Sequence, residues 1–173
     1  EFGVTPDVMT MAKATTNGVV PMGAVAVKEE IYDAVMDASP KGAVELFHGY
    51  TYSGIPVSVA AALAVQDIFE KEDIFKRSKE MSPYFLDGLF SLKDLGAVDN
   101  IRGYGMMGGI DMKLKEKPGR AGFECFKACY EIGVNFKATG DCLIIAPAFV
   151  CEEKHIDEIF EKLRAGIKNY MKK

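Results

Sequence analysis

Val8-Met9-Thr10-Met11-Ala12-Lys13-Ala14-Thr15-Thr16-Asn17-Gly18, continuing to Pro21-Met22-Gly23-Ala24-Val25-Ala26-Val27, is the stretch on which the fold turns. Residues 8–12 form a short, mostly apolar run that stops at a lysine, and residues 23–27, small and β-branched, read as a buried strand. Thr15-Thr16-Asn17-Gly18-Val19-Val20-Pro21 between them is rich in turn formers. Two strands are thus predicted on either side of a loop, with Lys13 at its start. Working outward, residues 28–38 read as a helix with Ile31, Val35 and Met36 on one side, and Ser39-Pro40-Lys41-Gly42 breaks it. A strand is predicted at 44–47, then the loop His48-Gly49-Tyr50-Thr51-Tyr52-Ser53-Gly54. Pro56 suits a first helical turn, where its missing N–H is no loss, so a helix is expected from there to about Lys71. Its early residues include Ala60, Ala61, Ala62 and Ala64, which let a helix lie close to a neighbouring backbone.

Beyond residue 71 the pattern changes. Residues 74–93 read as a helix carrying Met81, Phe85, Leu89 and Leu92, with Pro83 expected to kink or split it. Residues 98–102 and 106–114 read as strands punctuated by Gly103, Gly105, Gly108 and Gly109. A helix at 121–132, strands at 134–137 and 142–145, and a final helix follow. In that last helix Ile156, Ile159, Phe160, Leu163, Ile167 and Tyr170 make one apolar stripe at helical period. The fold class expected is α/β over residues 1–70, followed by an antiparallel-leaning α+β portion over 71–173.

Bulk properties exclude several classes. The 173 residues are 49% hydrophobic and 27% charged, as in an ordered globular protein. A net charge of −4 gives no reason to expect a nucleic-acid surface, and no apolar run approaches the roughly 20 residues that span a bilayer. Cys125, Cys129, Cys142 and Cys151 lack zinc-knuckle spacing, and His48 and His155 stand far apart, so no metal site is expected. Free thiols fit a cytoplasmic protein.

Two places could carry chemistry. Lys13, at a strand end, is by itself a solvated loop lysine or an amine kept partly neutral and able to attack an aldehyde; the residues alone do not choose. Tyr50-Thr51-Tyr52-Ser53-Gly54 brings hydroxyls and backbone N–H groups to a helix start, which suits an anion but also an ordinary capped helix with Ser53 or Gly54 near the cap.

Taken together the motifs have a precedent. Met11-Ala12-Lys13-Ala14-Thr15-Thr16-Asn17-Gly18 with Pro21-Met22-Gly23-Ala24-Val25 resembles the lysine segment of class III aminotransferases, which use pyridoxal 5'-phosphate (PLP) and have PLP fold type I. Phe2-Gly3-Val4-Thr5-Pro6-Asp7 resembles the stretch before it. His48-Gly49-Tyr50-Thr51-Tyr52-Ser53-Gly54-Ile55-Pro56 resembles the phosphate-contacting segment in its ω-amino acid (β-alanine): pyruvate form. Ile101-Arg102-Gly103-Tyr104-Gly105-Met106-Met107-Gly108-Gly109 and Gly140-Asp141-Cys142-Leu143-Ile144-Ile145-Ala146-Pro147 resemble that family's small-domain strands. The likeness is collinear over essentially the whole chain.

The resemblance implies that Lys13 forms the internal Schiff base with PLP and later shuttles a proton. It implies that Thr51 binds the PLP phosphate of the neighbouring subunit with Tyr50 close by, so that the site is built in a homodimer. Residues 1–70 would be the carboxy-terminal part of the large PLP-binding domain and 71–173 the small domain. The reaction implied is transamination between an ω- or β-amino acid, or an amine, and pyruvate or another 2-oxo acid. The sequence departs from the family in two respects. The glycine/serine phosphate loop, the aromatic residue stacked on the cofactor ring and the aspartate on the pyridine nitrogen precede the lysine segment in the family and have no counterpart here, so the chain is expected to be a carboxy-terminal fragment, inactive by itself. Lys137, in Phe136-Lys137-Ala138-Thr139-Gly140-Asp141, stands where many ω-aminotransferases have a carboxylate-gripping arginine; lysine offers a point charge in place of a fork. Other outcomes within the fold, an aminomutase or a decarboxylase, stay open, as does a non-catalytic binding fragment.

Overall fold

A computed structural model describes residues 2–43, 49–113 and 117–172; the strand expected at 44–47, together with His48 and Leu114, lies outside the described residues. The chain divides into two compact units, Glu1–Glu72 and Asp73–Lys173.

In the first unit β1 (Val8–Ala12) pairs antiparallel with β2 (Gly23–Val27), from Val8 opposite Val27 to Ala12 opposite Gly23. The Lys28 N–H donates to the Asp7 carbonyl at 3.0 Å and the two side chains form an ion pair at 2.5 Å, which continues the hairpin by one residue pair. Helix α1 (Glu29–Ala38) opens with Glu29 and Glu30, carboxylates placed against the positive end of its dipole. Helix α2 (Pro56–Lys71) has Pro56 in its first turn and buries Ser58 and Val65. The expectation of a buried strand at 23–27 is corrected here: Val25 is 64% exposed and Val27 45%. Small β-branched residues favour extended backbone, but burial needs a covering layer, and the described residues of this unit supply none over β2.

The second unit has its own core. Its four strands, β3 (Val98–Tyr104), β4 (Met107–Met112), β5 (Lys137–Thr139) and β6 (Cys142–Ile145), form an antiparallel sheet in the order β3-β4-β6-β5. Alternation assigns Ile110, Met112, Leu143 and Ile145 to the buried face. Helix α3 (Ile74–Phe90) adds Phe85 and Leu89, and α5 (Glu153–Lys172) adds Ile156, Phe160, Leu163, Ile167 and Tyr170, the stripe read from its period. The Phe85 and Phe160 rings meet at 5.4 Å. Helix α4 (Ala121–Tyr130) crosses α5 so closely that a Cβ on Gly166 would stand 2.3 Å from Cys129 Sγ.

Pro83 does not split α3, which runs through it unbroken. Proline removes one i→i−4 bond, while Phe85 and Leu89 in the turns that follow are buried in the core. The helix is shorter than expected, giving way to a 3-10 turn at Ser91–Asp94. The strand expected at 134–137 begins at Lys137 instead. Val134 is buried, and Phe136 packs edge-on against Phe126 of α4 at 5.5 Å, so these apolar residues belong to a connection under a helix. Among the described residues no helix is long and apolar enough to cross a membrane, and no group of three or more His, Cys, Asp or Glu side chains could hold a metal ion. None of the four cysteines is in a disulfide.

Candidate functional site

Lys13 follows β1 directly and takes the left-handed conformation, with φ 58°. An L-residue with a long side chain seldom adopts it without a reason in the surrounding structure. The backbone then winds through tight turns: Thr16 N–H donates to the Lys13 carbonyl at 3.3 Å and Val19 N–H to the Thr16 carbonyl at 3.1 Å. Asn17 (φ 50°) is left-handed too. The buried Thr16 hydroxyl donates to the Val20 carbonyl at 2.6 Å, pinning the loop from inside. Beside it Thr15 Oγ1 is buried without a partner among the described residues, which costs about 1–3 kcal/mol.

The second segment is a turn before α2. Ser53 N–H donates to the Tyr50 carbonyl, and Tyr50 N–H to Ser53 Oγ, both at 2.9 Å. Ser53 therefore closes its own turn rather than capping α2; the N-cap is Ile55, which has no side-chain acceptor. The first turn of α2 reaches the lysine loop through Ser58, whose hydroxyl donates to the Pro21 carbonyl at 3.3 Å.

The two segments line one cleft of about 710 Å³, with Lys13, Tyr50, Tyr52, Ser53 and Ser58 among its walls. Lys13 is the one charged side chain among the described residues of that lining. The set offers an amine, phenol and alcohol hydroxyls and a helix N-terminus, donors that fit an anionic aldehyde cofactor such as PLP. Thr51 is exposed on the same turn and is not part of this cleft's wall. Tyr52 belongs to the hydroxyl-rich turn read from the sequence, whereas Thr16 and Ser58 are contributors to which the sequence reading gave no role, since hydroxyl residues give no periodic signal.

Lys137 belongs to the second unit, at the start of β5 opposite Ile144. Pairing puts it on the outer sheet face with Arg102, Asp111 and Cys142. Arg102 is neutralised there by an ion pair with Asp111 and also donates to Cys142 Sγ at 3.4 Å. The Arg102 guanidinium holds the Asp111 carboxyl below the usual carboxylate range, while burial pushes the Cys142 thiol up. Lys137 has no ion pair among the described residues, and the Arg102–Asp111 pairing was not read from the sequence.

The family model for aminotransferase class III matches residues 1–167, and the chain belongs to that family. Among its relatives is an omega-aminotransferase of Caulobacter vibrioides, 40% identical over 164 residues, covering 94% of this chain and 37% of that protein. A beta-alanine–pyruvate aminotransferase of Pseudomonas aeruginosa is 41% identical over 162 residues, covering 92% of this chain and 36% of that protein. An (S)-enantioselective omega-transaminase from Thermomicrobium roseum superimposes with a TM-score of 0.89 at 29% identity, covering 98% of this chain and 39% of that one. The chain spans little more than a third of the length of these relatives. The matches agree with the fold class read from the motifs, the carboxy-terminal part of a fold type I transferase.

Proposed function

We propose that this chain belongs to a PLP-dependent aminotransferase that moves nitrogen from an ω- or β-amino acid, or an amine, to pyruvate or another 2-oxo acid. The observation that carries this is the cleft in which Lys13, strained and left-handed, is the sole charge among described side chains. When bound, PLP supplies the electron sink for the pair released at the substrate's Cα. The protein's part is position and proton handling. Lys13 Nζ holds the cofactor covalently and carries the proton to and from Cα. Thr51, exposed on the hydroxyl-rich turn at 50–54, would bind the phosphate of PLP held by a neighbouring subunit, with Tyr50 close to that same site, which makes the working unit a homodimer. Lys137 binds the substrate carboxylate; its freedom from any ion pair among described residues supports it over Arg102, whose charge Asp111 already takes.

Residues 1–70 are read as the carboxy-terminal part of the large PLP-binding domain and 71–173 as the small domain, a division supported by the separate sheets and the compact-unit boundary after Glu72. The chain by itself is expected to be inactive, and the cytoplasm is the compartment this reading implies.

In the enzyme that carries this chain, Lys13→Ala should abolish both the visible absorbance of enzyme-held PLP and turnover, since alanine offers no amine. Near-normal transamination after that change would refute the assignment.

A further inference from the structure

The turn that follows Lys137 is fastened to α4 and β4 at one residue. Asp141 Oδ2 accepts the Gly119 N–H at 2.7 Å and Oδ1 accepts the Ala121 N–H at 2.9 Å, so its carboxylate sits on the N-terminus of α4. Carboxylates there gain from charge-assisted bonds and from the helix dipole. The Asp141 carbonyl accepts the Met112 N–H at 2.9 Å, tying the residue to the end of β4. Gly122, in the first turn of α4, lies so close that a Cβ there would stand 2.6 Å from the Gly140 carbonyl oxygen.

β5 is a three-residue strand at the edge of the sheet, hydrogen-bonded to β6 alone, with Phe136 just before it packed against Phe126 of α4. The fastening at Asp141 ties the turn at its far end to α4 and β4.

We infer that Asp141 is a positioning residue for Lys137: by gripping the first turn of α4 it sets the strand from which Lys137 reaches the substrate carboxylate. The inference rests on the reading of Lys137 given under Proposed function. A residue that only capped α4 would lower stability and affect every substrate alike. A positioning residue changes the discrimination between substrates with and without a carboxylate.

The test uses the enzyme carrying this chain, with β-alanine and 1-phenylethylamine as donors and pyruvate as acceptor. Asp141→Ala is expected to raise the KM for β-alanine roughly tenfold, the effect of losing one to two charge-assisted bonds, and to leave that for 1-phenylethylamine within about twofold. Asp141→Asn, which keeps one acceptor for the helix, should restore most of the loss. Gly122→Ala, which pushes the turn away with Asp141 intact, should shift the two KM values in the same selective way. In a Lys137→Met background Asp141→Ala should add nothing further. Equal rises for both donors, or an undiminished effect in the Lys137→Met background, overturn the inference while leaving Lys137 its role. If Lys137→Met alone leaves the ratio of the two KM values unchanged, the reading of Lys137 fails and the inference falls with it. Amide exchange of the same variants keeps the clamp itself accountable: β5 amides should exchange at least about tenfold faster in Asp141→Ala with α5 unaltered, and unchanged exchange at β5 overturns the positioning whatever Lys137 does.

Discussion

The first unit, Glu1–Glu72, and the second, Asp73–Lys173, are made from similar residues and bury them very differently. Among its described residues the first unit buries Thr16, Ser58 and Val65, while Phe2, Val25, Tyr50, Tyr52 and Leu63 stand more than 60% exposed. The second gathers Phe85, Leu89, Leu92, Ile110, Leu143, Leu163 and Ile167 into a core with each fully buried. Secondary structure forms in both, because hairpin bonds, turns and helix starts are local matters. Burial is a property of what lies opposite, and among the described residues the second unit has an opposite face that the first lacks. Among those residues hydrogen bonds and hydroxyl pins hold the lysine loop more than packing does, and the strand carrying Lys137 stands on a closed core.

That contrast can be broken by experiment. The largest effect is expected from Phe85→Ala, which should cost about 3–5 kcal/mol in chemical denaturation, against about 1 kcal/mol for Val65→Ala in the first unit. Comparable losses at the two positions would erase the difference drawn between the units. Gly166→Ala comes next: its methyl group would meet Cys129 Sγ at 2.3 Å and the Cys129 Cα at 2.9 Å, so overpacking of about 1–3 kcal/mol should lower the melting temperature. An unchanged melting temperature would mean that α4 and α5 can separate freely and that the core is looser than its burial suggests. The smallest effect concerns Tyr84, whose hydroxyl donates to Asp157 Oδ1 at 2.6 Å across α3 and α5. The bond to that carboxylate pushes the phenol up to about 12 from its ordinary 10.0. A raised value stabilises the folded state fully below the ordinary one, and the contribution disappears as pH rises through about 12. Asp157→Asn should bring the ultraviolet titration of Tyr84 back toward the ordinary value, and a titration that does not move would show the pair is not formed in solution.

Much of this was legible in the residues. The apolar runs at Val8–Ala12 and Gly23–Val27, Pro56 opening α2, and the stripe along α5 marked their elements closely, because each rests on local chemistry or on a strong period. Lys13 and the turn at 50–54 were legible as motifs, and the structure brings both to one cleft. What could not be read depends on partners distant in sequence. Val134 and Phe136 alternate like a strand but pack beneath α4. Asp141 has no local capping spacing, since the helix it binds begins 20 residues earlier. The exposure of β2 was hidden for the same reason, since composition records what a strand suits and not what covers it.

Helix α5 has a consequence in time. It contributes Ile156, Phe160, Leu163, Ile167 and Tyr170 to the core, and it is the last element of its unit in chain order. As the chain leaves the ribosome, α3 and the β3–β4 hairpin emerge with one face still bare. Phe85 has no ring to meet until Phe160 has been made. The second unit therefore cannot close gradually from its start; it waits, with a sticky half-built surface, for its final helix, and that interval is when chaperones or neighbouring nascent chains would find it.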